Sequence, residues 1–357
     1  MNPKWNRACI DGRQMLCLLV VCRVFSVMVY SPGKTAVDGT VTLAAQLPAL
    51  AVELLLLVPW FWVSKRLGRS DLPHFLCSKS PAAGRLCAAV CLGFCLFLTV
   101  HSLTVQADFL TGTIYHTAGR GGILLALWAG TVYGVWLGPE AFARLSMGVF
   151  VLLALVLAGL AVQVLPQIDL LNLHHPLEGG GIPLLQGTLT SVGRCAETGT
   201  ALLILPQVRR DGQRWARRSA LLWTGATAAV TFLTQTVLGN FAALRAYPVY
   251  SLALAAGETA VFGRMDALLL VVWVFLAVVR GSLYLWLGAG FCSLLFRQKP
   301  AVCLAVCAGA ALGLALAAPM AERLWQEPYL GGVLLASVTL GVPAVALLAA
   351  GKGEKQP

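Results

Sequence analysis

Long apolar stretches separated by short polar connections dominate the chain. They run over 14–31, 41–63, 86–107, 121–138, 146–165, 183–207, 219–239, 266–296, 301–319 and 329–350. Each is close to the roughly 20 residues that a helix needs to cross a bilayer's hydrocarbon core. The pattern predicts ten transmembrane helices in one all-α polytopic membrane domain spanning 1–357. Lys4, Arg7 and Arg13 precede the first run, as in a signal peptide. Arg23 interrupts that run and no small-x-small cleavage site follows, so we read a retained first helix.

Composition agrees. Of 357 residues, 58% are apolar and 11% charged, with a mean hydropathy of +0.79. A soluble domain carries about 25% charged residues and needs them for its surface. This excludes a soluble enzyme and leaves little chain for an extramembrane domain. The net charge of +11 would suit nucleic acid only on a solvated basic domain, and none is available, so no nucleic-acid partner is expected. The basic excess reads as orientation instead. With the N-terminus inside, eighteen Lys and Arg fall on inner segments and five on outer ones. This is the positive-inside asymmetry, and it places both termini in the cytoplasm, with membrane lipid around the bundle. With five helices in each half, the second half starts from the opposite side. That parity matches carriers built from a 5+5 inverted repeat.

Charged residues at membrane depth are costly and stand out: Arg23, Glu53, Arg194, Glu197 and Arg280. The richest segment is Ser191-Val192-Gly193-Arg194-Cys195-Ala196-Glu197-Thr198-Gly199 in the sixth run. Glycines tolerate unwound backbone, and a broken helix frees N–H and C=O groups that can hold a small polar solute. The alternative is a continuous helix in which Arg194 and Glu197 pair at i, i+3. Arg280 either stands where a coupling cation would bind, pairs with a carboxylate such as Glu197, or locks helices together. Arg23, one turn from Ser26 and Tyr30, either lines the same cavity, snorkels, or pairs with Glu53. Glu53 reads more readily as a buried structural carboxylate than as a ligand.

Other features carry less. Eleven cysteines lie mostly inside apolar runs, without Cys-x-x-Cys, and Cys87, Cys91 and Cys95 share one helix face as packing residues. His174-His175 has no partner at ligand spacing, so neither metal nor cofactor is expected. Gly309 and Gly313 mark close helix packing, and Gly179-Gly180-Gly181 an outer loop. The chain has no His-Glu-x-x-His, Gly-x-Ser-x-Gly or Walker A sequence. Asp108, His101 and His116 are too dispersed for an interfacial catalytic cluster, so no enzyme is expected.

Several segments, in order, resemble the spore germination permease family, the B subunits of Ger-type germinant receptors in the amino acid–polyamine–organocation superfamily. They are Tyr247-Pro248-Val249-Tyr250-Ser251, Phe262-Gly263-Arg264-Met265-Asp266-Ala267-Leu268, Trp273, and Arg280-Gly281-Ser282-x-Tyr284. Arg13-Gln14, Cys22-Arg23-Val24-Phe25, Tyr30-Ser31-Pro32 and the stretch from Gly187 to Pro206 are also similar. The resemblance implies a LeuT-like fold with helices 1 and 6 broken around a mid-membrane pocket. A small polar nutrient such as an amino acid would bind there to Ser26, Tyr30, Gly193, Arg194, Glu197, Gly199 and Arg280. It also implies assembly with a membrane-anchored A-type subunit and a C-type lipoprotein subunit in the spore inner membrane. Two departures are visible. The first helix has no glycine at its expected break, and position 280 is arginine where the family pattern leads us to expect lysine.

Overall fold

The computed structural model describes residues 10–29, 39–68, 71–115, 117, 119–173, 180–256, 265–317 and 328–351. Tyr30, Ser31, Pro32, His116, His174, His175, Gly179 and the stretch 262–264 lie outside the described residues. Among the described residues the structure is helical. The one extended pairing is an isolated bridge between Ile10 and Val208.

The helices in chain order are α1 (Gly12–Met28), α2 (Gly39–Leu67), α3 (Leu72–Lys79), α4 (Pro81–Thr113), α5 (Arg120–Leu137), α6 (Pro139–Val164), α7 (Gly181–Gly193) and α8 (Ala196–Ile204). They continue with α9 (Gly212–Leu238), α10 (Phe241–Leu244), α11 (Pro248–Ala256), α12 (Met265–Phe296), α13 (Pro300–Ala317), α14 (Pro328–Ala336) and α15 (Val342–Gly351). A π-helical turn, Ser337–Gly341, joins the last two into one rod. Among the described residues, eight helical segments are long and apolar enough to cross a bilayer: α2, α4, α5, α6, α9, α12, α13 and the α14–α15 rod. The chain is therefore a multi-pass membrane protein. Outside these eight stand α1, with 17 residues, and the pair α7 and α8, with 13 and 9.

Local chemistry starts the first helix. Asp11 caps α1 by accepting from the Arg13 N–H at 3.3 Å, and Gln14 reaches back to the Asp11 N–H at 2.9 Å. This reciprocal box satisfies two donors that a helix start leaves open. Packing then places α12 at the centre. It is the most buried of the long spans and packs on α4, α5, α6, α13 and α1. Small groups allow the α5 approach. Gly281 faces Thr131, Gly134 faces Ser282, and the Ser282 hydroxyl donates to the Thr131 carbonyl at 3.0 Å. The first helix lies between α9, α6 and α12, while α2 packs on α7 and α9.

Candidate functional site

The sixth apolar run is broken between α7 and α8, and the break is two residues long. Arg194 closes α7 with helical angles, but Cys195 sits at φ −90, ψ 65, outside the helical region. In an unbroken helix the Cys195 N–H would bond to the Ser191 carbonyl. Here it turns to Val192 O at 2.9 Å, and the Thr198 N–H then restarts α8 on Cys195 O at 3.3 Å. The freed Ser191 carbonyl is taken by Arg23 Nη2 of α1, at 3.4 Å. The sequence predicts the break within the segment from Ser191 to Gly199, with Gly193, Glu197 and Gly199 in it. Instead Gly193 ends α7, and Glu197 and Gly199 lie in the first turns of α8.

Close packing explains the glycines. A Cβ at Gly331 of α14 would stand 2.9 Å from the Gly193 carbonyl oxygen, so only glycine lets α14 sit on the break. At Gly199 a Cβ would meet Phe94 Cζ at 3.1 Å and Leu335 Cδ1 at 3.2 Å. The geometry therefore gives Gly199 a packing role.

Two buried carboxylates flank the break. Glu197, 0% exposed, lies in the first turn of α8, where the helix dipole favours negative charge. Its Oε1 accepts from Ser26 Oγ of α1 at 3.4 Å and Tyr284 Oη of α12 at 3.3 Å. Arg280 Nη2 of α12 stands 3.5 Å from the same oxygen. The Arg280 guanidinium, 2% exposed, rests 5.2 Å from the centre of the Phe25 ring and 5.4 Å from that of Tyr284. Glu53 of α2, 2% exposed, forms the second centre. Trp223 Nε1 of α9 donates to its Oε2 at 2.9 Å, and the Cys195 thiol at the break is also hydrogen-bonded to it. Arg23, 4% exposed, lies within electrostatic reach of both Glu53 and Glu197. Two arginines and two glutamates thus form a neutral quartet, as burial in a low-dielectric interior demands.

The structure therefore joins Ser26 and Arg280 to Glu197, with Arg23 in the field of both Glu197 and Glu53; Gly193 and Arg194 lie at the break itself, and Gly199 packs on Phe94 and Leu335 instead. Tyr30 lies outside the described residues. The cluster is closed, and its unanswered polar groups point to what it could hold. Glu197 Oε2, Arg280 Nε and Nη1, and Arg23 Nε are buried without a hydrogen-bond partner. Asp108, by contrast, is half-exposed and ion-paired to Arg120. An apolar crevice of about 490 Å³ between α4, α5 and α12 shares no lining residue with the quartet. Sequence reasoning does not pick out Trp223, and it includes Cys195 and Phe25 within longer segments without giving them a role. Tyr284 had a signal, since it lies four residues from Arg280 and so shares its helix face.

A multi-helix membrane bundle with one apolar run broken around buried opposite charges is the architecture of a permease-type protein. The chain belongs to the spore germination protein family, whose sequence profile matches residues 78–321. No curated protein matches it. Solved structures share the fold at low identity. One is a nucleobase-cation-symport-1 family transporter in a closed conformation with bromovinylhydantoin bound. It has 14% identity and a TM-score of 0.70, over 97% of this chain and 80% of that one. Another is a manganese transporter mutant of Eremococcus coleocola, at 13% identity and TM-score 0.54, over 98% of this chain and 78% of that one. The same transporter in complex with an aromatic bis-isothiourea substituted compound has 12% identity and a TM-score of 0.51, over 97% and 80%.

Proposed function

We propose that this chain is the permease-like subunit of a germinant receptor and binds a small zwitterionic nutrient, such as an amino acid, at the α7–α8 break. One observation carries the reading: the buried Glu197–Arg280 pair keeps an acceptor, Glu197 Oε2, and two donors, Arg280 Nε and Nη1, without partners. Unmade hydrogen bonds on buried charges are expensive, and a zwitterion supplies what both sides lack. Its ammonium answers Oε2 and its carboxylate answers the guanidinium. Ser26 and Arg194 stand at the rim of that site, and Tyr30 belongs to the same proposal. Gly193 and Gly199 keep the surrounding backbone and packing close. Binding then shifts the closed bundle between two packings, with a differential affinity that sets how far.

The same reading counts α1 and the α7–α8 pair as crossings, giving ten spans with both termini in the cytoplasm. It places the protein in the cell membrane, and in the spore inner membrane during sporulation, beside A-type and C-type subunits. The test uses the purified full-length chain. Its unfolding temperature should rise with an effective amino acid, and Glu197→Gln should abolish that rise while leaving the ligand-free chain folded. Stabilisation of Glu197→Gln and of Ser26→Ala equal to that of the unaltered chain would sink the site assignment.

A second reading is an amino acid or amine carrier using the same residues. Its support is that the solved structures sharing this fold are transporters. Uptake of labelled amino acids into proteoliposomes separates the two. Concentrative or exchange flux that fails in Glu197→Gln makes the chain a carrier, and stabilisation without flux favours the receptor.

A further inference from the structure

A second set of unanswered polar atoms lies outside the quartet, along the α4–α12 interface. Gln106 of α4 is 0% exposed, and neither its Nε2 nor its Oε1 has a partner. Trp273 of α12 is 0% exposed with its indole N–H unpartnered. Inside a membrane bundle each such group forfeits hydrogen bonds that water would otherwise supply, so three together need an occupant.

Two contacts fix the register of these helices. Phe109 stacks on Trp273 with ring centres 3.9 Å apart, and Gly288 faces Cys95. The helices therefore run antiparallel, and Gln106 falls level with Leu276 and Ala277, midway between Trp273 and Arg280. At 1.5 Å of rise per residue, Gln106 is about 5 Å along the axis from each. Tyr247 and Tyr250 meet Phe109 edge to face at 4.8 and 5.5 Å. The unpartnered groups thus extend from Arg280 over two turns of α12 to Trp273, whose ring is stacked on Phe109.

We infer that Gln106 and Trp273 form the side-chain station of the binding site and select an α-amino acid bearing a carboxamide, glutamine or asparagine. The inference rests on the reading of Glu197 and Arg280 as the head-group site. Both station residues are uncharged, so they offer no counter-charge to a side-chain carboxylate or ammonium. Together they present two kinds of donor, an indole and an amide N–H, and one amide acceptor. A carboxamide complements that set: its carbonyl accepts from Trp273 Nε1 or Gln106 Nε2, and its NH2 donates to Gln106 Oε1. The axial offset of about 5 Å from Arg280 is the reach of one such side chain.

Calorimetry on the purified full-length chain tests this with glutamine, glutamate and methionine, the last similar in length but lacking the amide. Glutamine should bind at least tenfold more tightly than methionine, because a site built to hydrogen-bond a group discriminates against an analogue that leaves it unpaired. Glutamate should resemble methionine. Gln106→Leu should erase the preference while methionine binding persists, and Trp273→Phe should do the same if Gln106→Leu fails to fold. Equal wild-type affinity for glutamine and methionine would overturn the station and leave the head-group site standing. Binding of none of the three would overturn the station too, and loss of amino-acid stabilisation in Glu197→Gln decides the head-group reading separately.

Discussion

The Glu197–Arg280 pair makes a quantitative demand on the fold. Its charges are 3.5 Å apart with almost no solvent contact. At an effective dielectric near 20 their attraction is about 5 kcal/mol, offset in large part by the cost of burying both. Removing one partner forfeits the attraction while the other's desolvation cost stays. Glu197→Gln keeps an oxygen for Ser26 and Tyr284 but strands the guanidinium. Arg280→Met keeps the packing on Phe25 and Tyr284 but strands the carboxylate. Each single change should cost about 3–5 kcal/mol, and the double change distinctly less than the sum, with a coupling of roughly 3 kcal/mol. Reversible unfolding in mixed micelles with rising SDS measures all four corners of the cycle. The exposed Glu140–Arg144 pair in α6, at 2.7 Å, is the internal control and should show coupling of no more than about 0.5 kcal/mol. Additivity at Glu197 and Arg280, within about 0.5 kcal/mol, would refute the argument that the two ions are buried against each other.

Three further outcomes follow from named contacts. Gly331→Ala drives a Cβ to 2.9 Å from the Gly193 carbonyl, while Gly332→Ala meets Gly193 Cα at 3.5 Å. The first should cost about 1–3 kcal/mol and the second little, so equal thermal midpoints would disprove the tight seating of α14 on the break. Trp223→Phe strips Glu53 of a donor at 2.9 Å and should cost about 1.5–3 kcal/mol in the same unfolding assay; an unchanged midpoint would mean that this bond contributes nothing. Asp71, which caps α3 by accepting from the His74 N–H at 3.1 Å, has its carboxyl raised above the ordinary 3.8, chiefly by burial, with the His74 contacts opposing. The folded chain therefore holds that proton more tightly than the unfolded chain. Stability should fall as pH rises from about 3.8 through the raised value. Asp71→Asn should flatten that part of the profile, and an unchanged slope would assign it to other groups.

What could be read without coordinates follows from what a bilayer forbids. Hydrocarbon tolerates neither bare backbone nor stray charge, so apolar runs mark spans and their interruptions mark chemistry. The run at 266–296 and helix Met265–Phe296 all but coincide for that reason, and Arg280 inside it could not be overlooked. Partnerships were another matter. Glu197 is 171 residues from Ser26 and 87 from Tyr284, and no periodicity connects them. Trp223 looked like any apolar residue of its span until α9 turned its N–H toward Glu53. The limits of the break were equally hidden. Two glycines suggested a stretch from 193 to 199, but α14 seated on Gly193 and the early restart of α8 confine it to Arg194 and Cys195. The π-helical turn at Ser337–Gly341 left no trace in composition, since it is a packing accommodation.

Helix α1 joins the two buried centres. Arg23 faces Ser191 and the field of Glu53, while Ser26, three residues on, donates to Glu197. Positions i and i+3 share one helix face, so both contacts lie on a single stripe of α1. The broken span offers that stripe a carbonyl before the break and a carboxylate after it. A shift of α8 toward or away from α12 changes the Glu197–Arg280 distance directly, and it tugs on Ser26 at the same time. A shift of α7 changes the Ser191–Arg23 contact and, through Cys195, the environment of Glu53. The halves of the broken span can therefore move independently only if α1 lets go of one of them. In this packing it holds both, and this ties the position of Glu197 to the arrangement of α2 and α9 around Glu53.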